Sequence, residues 1–232
     1  MRIAILDLAL APKHLMGDLP NFGVRTRDWL AQGLPEAEYD VVDVQGGAEI
    51  PPIDGYDGVL VTGSDKGVYD DTPWMQPLRA LLIEARDKEI PVLGLCFGHQ
   101  IMADTWGGKA EKSSAGNQVG IRHYSYNGEE IAAHAWHKDQ VTRQPPNSEV
   151  IASAPYCPIA GLAYDFPAMS VQFHPEYTRD YMGGFIDQSR GEILDDAFTD
   201  EVLESLNSQE VPEDLLAHDA GNFFRRHIRG EI

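Results

Sequence analysis

Apolar positions along the first hundred residues fall into two alternating textures. Ile3-Ala4-Ile5-Leu6, Tyr39 to Val44, Gly58-Val59-Leu60-Val61-Thr62 and Pro91 to Leu95 are short apolar runs of the buried-strand kind. Between them lie helical patterns. Asn21 is placed to cap a helix running to Leu34, with Phe22, Trp29 and Leu30 as its apolar contacts. Trp74 to Lys88 is the clearest helix, because Leu78, Leu81, Leu82 and Ala85 stand at i, i+3, i+4 and i+7. Strands without polar alternation, interleaved with helices, predict an α/β fold with a mostly parallel central sheet and helices on both faces.

After Gly108 the texture changes. Residues 119–173 hold short segments separated by turn residues, such as Gly120 to Tyr126, Glu149 to Ala152 and Ala168 to Phe173, which predict an antiparallel region or an extension of the sheet. From Thr178 onward the chain reads helical. Ile193, Leu194, Ala197, Phe198, Val202 and Leu206 form one stripe, and Leu216, Ala220, Phe223 and Phe224 another. There is no internal repeat or linker, so the expectation is one domain over residues 1–232, with a C-terminal helical extension from about 190.

Charge narrows the function classes. Eighteen Lys and Arg stand against 37 Asp and Glu, a net −19, which excludes a phosphate-backbone binder as a first reading. Residues 192–219 contain ten acids and no Lys or Arg, read as a solvated helical face rather than a docking surface. Cys96 and Cys157 are too few for a disulfide framework. No apolar run approaches membrane-spanning length, and Asp7 interrupts the only signal-like start, so the expected setting is cytoplasmic, with no membrane partner. His14, His99, His123, His134, His218 and His227 show no metal-ligand spacing, and no phosphate-loop pattern occurs, so neither metal nor cofactor is expected.

Three strand ends carry candidate chemistry. In Gly94-Leu95-Cys96-Phe97-Gly98-His99-Gln100 an apolar strand runs into a cysteine, and a helical pattern starts immediately after it. This is a nucleophile elbow with Cys in the serine position. The sharp turn needs residues without side chains two before and two after the nucleophile, and a helix N-terminus favours the reactive thiolate. In Val171-Gln172-Phe173-His174-Pro175-Glu176, Pro175 biases His174 toward extended backbone, so the i and i+2 side chains share a side. Glu176 can then accept the second ring proton of His174 and orient it as a base. Val59 to Ser64 is a further strand ending in a glycine turn. The N–H groups of Gly63 and Phe97 are the natural pair to hold a tetrahedral oxyanion.

Gly-Leu-Cys96-Phe-Gly-His-Gln100 followed by Phe-His174-Pro-Glu176, with Thr-Gly63-Ser upstream, resembles the class I (triad) glutamine amidotransferases over about residues 40–180. The likeness is strongest to stand-alone members similar to the amidotransferase part of guanylate synthetase. It implies a flavodoxin-like amidotransferase fold and a Cys96–His174–Glu176 triad that cleaves a γ-glutamyl amide through a thioester. It also implies an oxyanion hole from Gly63 and Phe97, and Gln100 at the α-amino and carboxylate end of glutamine. Trp136 and His137 fall where that family's Ser-His-Gly-Asp stretch helps hold the glutamyl group. Trp136 and Lys138 depart from it, and Trp136-His137-x-Asp139 is similar to the γ-glutamyl peptidase branch. The implied substrate is therefore glutamine, its ammonia passing to a separate synthetase chain, or else a γ-glutamyl peptide with no such partner. A non-catalytic binding subunit is the alternative of another class. Cys157 has no acid–base neighbour and reads as a small buried hydrophobe.

Overall fold

Four parallel strands are built from the four apolar runs of the first hundred residues: β1 (Arg2–Asp7), β2 (Glu38–Asp43), β3 (Gly58–Val61) and β4 (Val92–Leu95). The computed structural model describes residues 1–9 and 21–230, so His14 and residues 231–232 of the C-terminal extension lie outside the described residues. The helices between the strands are α1 (Phe22–Gly33), α2 (Met75–Asp87) and α3 (Phe97–Thr105). Asn21 caps α1 as its sequence position predicts, its side chain accepting from Val24 N–H at 2.8 Å.

The region after Gly108 supplies β5 (Lys109–Lys112), β6 (Gln118–Tyr126), β7 (Glu129–His137), β8 (Asp139–Arg143), β9 (Ser148–Ala154), β10 (Cys157–Tyr164) and β11 (Ala168–Val171). Nine strands join in one sheet of order β2-β1-β3-β4-β11-β10-β9-β6-β7, while β5 and β8 pair separately. β11 lies parallel to β4, so five adjacent strands are parallel, and β10, β9, β6 and β7 continue the sheet antiparallel. The sheet curls enough for β7 to return to the end of β11, where His174 N–H donates to His134 C=O at 2.8 Å. Helices α4 (Arg179–Gln188), α5 (Asp196–Ser208) and α6 (Ala217–Arg229) follow.

Alternation along the parallel strands divides the core by face. Ala4, Leu6, Val59 and Val61 pack with Leu78, Leu81 and Leu82 of α2 and Ile101 and Met102 of α3. Ile3, Ile5, Leu60 and Leu93 pack on the other face with Trp29 and Leu30 of α1 and Phe223 and Phe224 of α6. A third cluster joins Phe22 to Tyr177, Tyr181 and Phe185, with Val202 and Leu206 of α5 behind them. The stripe read from Ile193 to Leu206 needs correction. The Asp195 side chain accepts from Phe198 N–H and starts α5 only at Asp196, so Ile193 precedes the helix and stays 50% exposed. Ala197 is exposed too, and the buried face consists of Thr199, Val202 and Leu206.

Helices α1 and α6 touch backbone to backbone. A Cβ on Gly221 would lie 2.1 Å from Gly33 O, and one on Gly33 would lie 1.8 Å from Ala217 O. Gly221→Ala is therefore expected to lower the urea midpoint. Overpacking costs about 1–3 kcal/mol, which outweighs the ~1 kcal/mol by which Ala is the better helix former. An unchanged midpoint would contradict this contact.

Candidate active site

β3, β4 and β11 all end at one edge of the sheet, and the candidate residues lie just past their last residues. The parallel register sets Val171 beside Leu95, and Cys96 N–H donates to Val171 C=O at 2.9 Å. Cys96 and His174, 78 positions apart in sequence, thereby leave the sheet from adjacent strands. Cys96 has φ 52° and ψ −102°, and α3 starts at the next residue. A non-glycine residue in that region costs on the order of 1–3 kcal/mol and persists only where its surroundings enforce it. Here the enforcement is steric. A Cβ on Gly94 would sit 2.4 Å from Met102 Sδ and 2.7 Å from Gly98 C, and one on Gly98 would sit 2.3 Å from Val61 O. The absence of side chains at both positions, which the motif required, is what lets the turn close.

Gly98 N–H donates to Thr62 C=O at 3.1 Å, tying the elbow to the end of β3. The Thr62 hydroxyl accepts from Leu8 N–H and donates to Gly63 C=O, both at 3.0 Å. Gly63 lies directly against the site, since a Cβ there would be 3.1 Å from His174 Cε1 and 3.9 Å from Cys96 Sγ. Gly63 thus approaches the sulfur from the β3 side, and Phe97 opens α3 directly after Cys96.

His174 and Glu176 are both buried, and His174 Nδ1–H donates to Glu176 Oε1 at 2.7 Å. The imidazole lines the same cleft as Cys96 and stacks on Tyr177 with centroids 4.1 Å apart at 13°. Burial alone would lower the His174 pKa. The Glu176 carboxylate and the Cys96 sulfur outweigh it and hold the imidazole protonated well above its usual range. Its buried neighbours behave oppositely. Desolvation takes His99 down to about 4, His134 to about 4 and His137 to about 3. His99 accepts from the Ser170 hydroxyl on Nδ1 (2.8 Å) and donates Nε2–H to Ile159 C=O (3.1 Å), the pattern of a neutral ring.

The sulfur faces a cleft of about 110 Å³ lined by Ala9, Phe22, Gly63, Ser64, Asp65, Trp136, His174, Tyr177, Phe185 and Ile193. Trp136 contributes its indole to the wall, packed on Phe185 at 4.4 Å, and its carbonyl lies 3.8 Å from Cys96 Sγ. Ser64, Asp65, Trp136 and Ile193 also line an adjoining recess that continues to Asn117, His137 and Lys138. His137 therefore opens on the recess rather than on the sulfur. Gln100 lines neither cavity. It is buried behind Cys96, its amide donating to Asp139 C=O at 2.9 Å and to Gln172 Oε1 at 3.2 Å.

Gln172 is the polar neighbour that motif reasoning passed over. Its Nε2 donates to Cys96 Sγ at 3.7 Å, and the bond from Gln100 holds the amide in that orientation. A polar side chain two before His174, and hence on the same side of an extended strand, was the available signal. Phe22, Phe185 and Ile193 carry no such signal, because they reach the cleft through helix packing and from a segment between helices. Cys157 is buried, with its thiol pushed up to about 12 by desolvation first and by Cys96 second. No helix among the described residues is long and apolar enough to cross a membrane.

Comparison with known proteins adds the family. The model described as glutamine amidotransferase class-I matches residues 19–186. Gamma-glutamyl peptidase 4 of Arabidopsis thaliana is 28% identical over 150 residues, which cover 59% of this chain and 60% of that protein. A glutamine-hydrolyzing GMP synthase of Pseudomonas entomophila is 34% identical over 152 residues, covering 56% of this chain and 27% of the synthase. The match thus spans less than two thirds of either relative. Among solved structures, a glutamine amidotransferase from Thermotoga maritima superposes with a TM-score of 0.76 at 19% identity, covering 98% of this chain and 97% of its own. Another from Methylobacillus flagellatus gives 0.77 at 22% identity, covering 100% and 95% respectively. These two share the fold, including the mostly parallel sheet with its helices.

The neutral state of buried His99 carries a pH signature. Its folded pKa lies below the unfolded value, so its contribution to stability is complete above about pH 6.5 and is lost as pH falls toward about 4. Comparing wild type with His99→Gln cancels the charge effects common to both. The stability difference between them is expected to shrink by roughly 1.4 kcal/mol per pH unit within that window. Urea denaturation of both proteins from pH 7 to 4.5 measures it, and a constant or growing difference would contradict a neutral His99.

Proposed function

The chain belongs to the class I glutamine amidotransferase family, and on that premise we propose that it hydrolyses a γ-glutamyl amide with Cys96 as nucleophile, His174 as acid and base, and Glu176 as the group that orients His174. The observation that carries this reading is the buried His174–Glu176 pair, linked at 2.7 Å, beside Cys96 on one cleft. A thiolate is the attacking form of cysteine. Around the sulfur stand His174, the N-terminus of α3 and the Gln172 amide at 3.7 Å.

The steps follow from these groups. The sulfur bonds to the γ-carbonyl carbon, and the oxygen becomes an oxyanion held by the N–H groups of Gly63 and Phe97. Collapse breaks the C–N bond as His174 gives its proton to the departing nitrogen. Neutral His174 then takes a proton from water while the hydroxyl oxygen bonds to the thioester carbon. The C–S bond breaks, glutamate leaves, and the thiolate–imidazolium pair is restored. With glutamine the departing group is ammonia, and a separate synthetase chain would be its acceptor. The name of the Pseudomonas relative supports that version. The bulky wall built from Trp136 and Phe185 favours a second version, in which the departing group is a larger amine and no acceptor is needed.

Glutamate release from glutamine and from γ-glutamyl-glycine tests the assignment. Cys96→Ala is expected to abolish release from both. Glu176→Gln keeps the side-chain shape but removes the carboxylate charge, and is expected to lower kcat by about 10²- to 10⁴-fold. Release by Cys96→Ala at the wild-type rate would overturn the mechanism.

A further inference from the structure

The two connected cavities beside Cys96 differ in chemistry, and the contrast bears on which substrate fits. The part that holds the sulfur is walled by Phe22, Tyr177, Phe185, Trp136 and Ile193. Phe22 meets Phe185 edge-on at 5.9 Å and Tyr177 at 6.0 Å, so these rings form one continuous aromatic surface. Ile193 adds an aliphatic side chain that is 50% exposed at the rim shared by both cavities. The adjoining recess adds Asn117, His137 and Lys138 to the shared Ser64 and Asp65, set between the apolar Val119 and Leu194.

A γ-glutamyl amide has a matching division. Its glutamyl end carries an α-ammonium and an α-carboxylate, which need groups of opposite charge within reach. Asp65 and the exposed Lys138 are one acid and one base facing the recess. Asp65 also pairs with Lys66 at 2.5 Å and stays exposed. The aromatic wall offers nothing to ammonia, which is small and polar, but it gives a departing amine with an apolar group a large surface to cover. Resting on the hydrolase reading above, we propose that the preferred substrates are γ-glutamyl amides of apolar, especially aromatic, amines. The glutamyl end lies in the Asp65–Lys138 recess and the amine substituent against Phe22, Phe185, Trp136 and Ile193. Substituent binding that persists through the attack raises kcat/KM for such amides over glutamine.

The test is a comparison of glutamate release from glutamine, γ-glutamyl-glycine and γ-glutamyl-phenethylamide by the full chain. The phenethylamide is expected to exceed both others in kcat/KM by at least about ten-fold, the scale set by burying a ring on an apolar wall. Phe185→Ala should reduce the ratio of phenethylamide to glycine kcat/KM, but Phe185 is also a core residue and its loss can unfold the chain. Ile193→Ser avoids that problem because the side chain is exposed, and it should reduce the same ratio several-fold. Equal kcat/KM for all three substrates, or a ratio unmoved by Ile193→Ser, would overturn the substrate preference while leaving the hydrolase reading intact. No release from any of the three would overturn the hydrolase reading and this preference with it.

Discussion

Pairing of β4 with β11 is the constraint from which the candidate site follows. Each strand is only four residues long, yet their register fixes which residues leave the sheet together. Cys96 follows Leu95, and His174 comes three residues after Val171, so the relation between sulfur and imidazole is set by backbone hydrogen bonds within the sheet. Everything between them must leave β4 and return beside it. The chain does so through α3 and the antiparallel strands, whose curl brings β7 back to meet His174. That return also delivers Trp136, whose carbonyl and indole both face the sulfur side. A site placed by strand ends in this way is held to the tolerance of the sheet rather than of a loop.

Burial then separates four histidines into two electrostatic classes. His99, His134 and His137 are removed from water without a carboxylate beside them, so the charged form is disfavoured. His174 is removed from water just as fully, but Glu176 lies at 2.7 Å and a sulfur lies on its other side. One imidazole in this neighbourhood is therefore charged, and the others are neutral dipoles that do not compete for the same proton. Glu176 cannot be judged as a stabilising contact in the usual sense, because desolvating a charged pair offsets much of its attraction. Its consequence is the protonation state of His174.

Much of this was legible in the sequence, for identifiable reasons. The buried strands are uninterrupted apolar runs, and the α2 stripe of Leu78, Leu81, Leu82 and Ala85 is buried as its spacing requires. The elbow was legible because a positive φ at a non-glycine residue makes strict demands on positions 94 and 98. What escaped depends on three-dimensional return paths. No local pattern says that β7 curls back to His174, or that Phe22 and Phe185 face each other across a cleft. Gln100 shows the limit of reading a motif. Its position is as expected, but its amide is committed to Asp139 and Gln172, so it meets the sulfur only through Gln172. The stripe from Ile193 failed because hydrophobic spacing cannot register that Asp195 starts the helix two residues later.

The same segment shows where part of the net charge of −19 is carried. On α5 the inner face is Thr199, Val202 and Leu206, packed behind the aromatic cluster that walls the cleft. The outer face is acidic, and Arg190 alone meets Asp187, Asp196 and Asp200. Those carboxylates are 68%, 79% and 73% exposed, where ion pairs contribute about 0–1 kcal/mol each and salt screens them over ~8 Å. Their effect on the sulfur is accordingly small compared with that of Glu176, which is buried two residues from the ring it touches. The helix thus separates two effects of composition: its acids govern solvation of the surface, and its apolar residues hold the wall against which a substrate would pack. Asp65 is the acid on the cleft wall itself, and it stands where the adjoining recess begins.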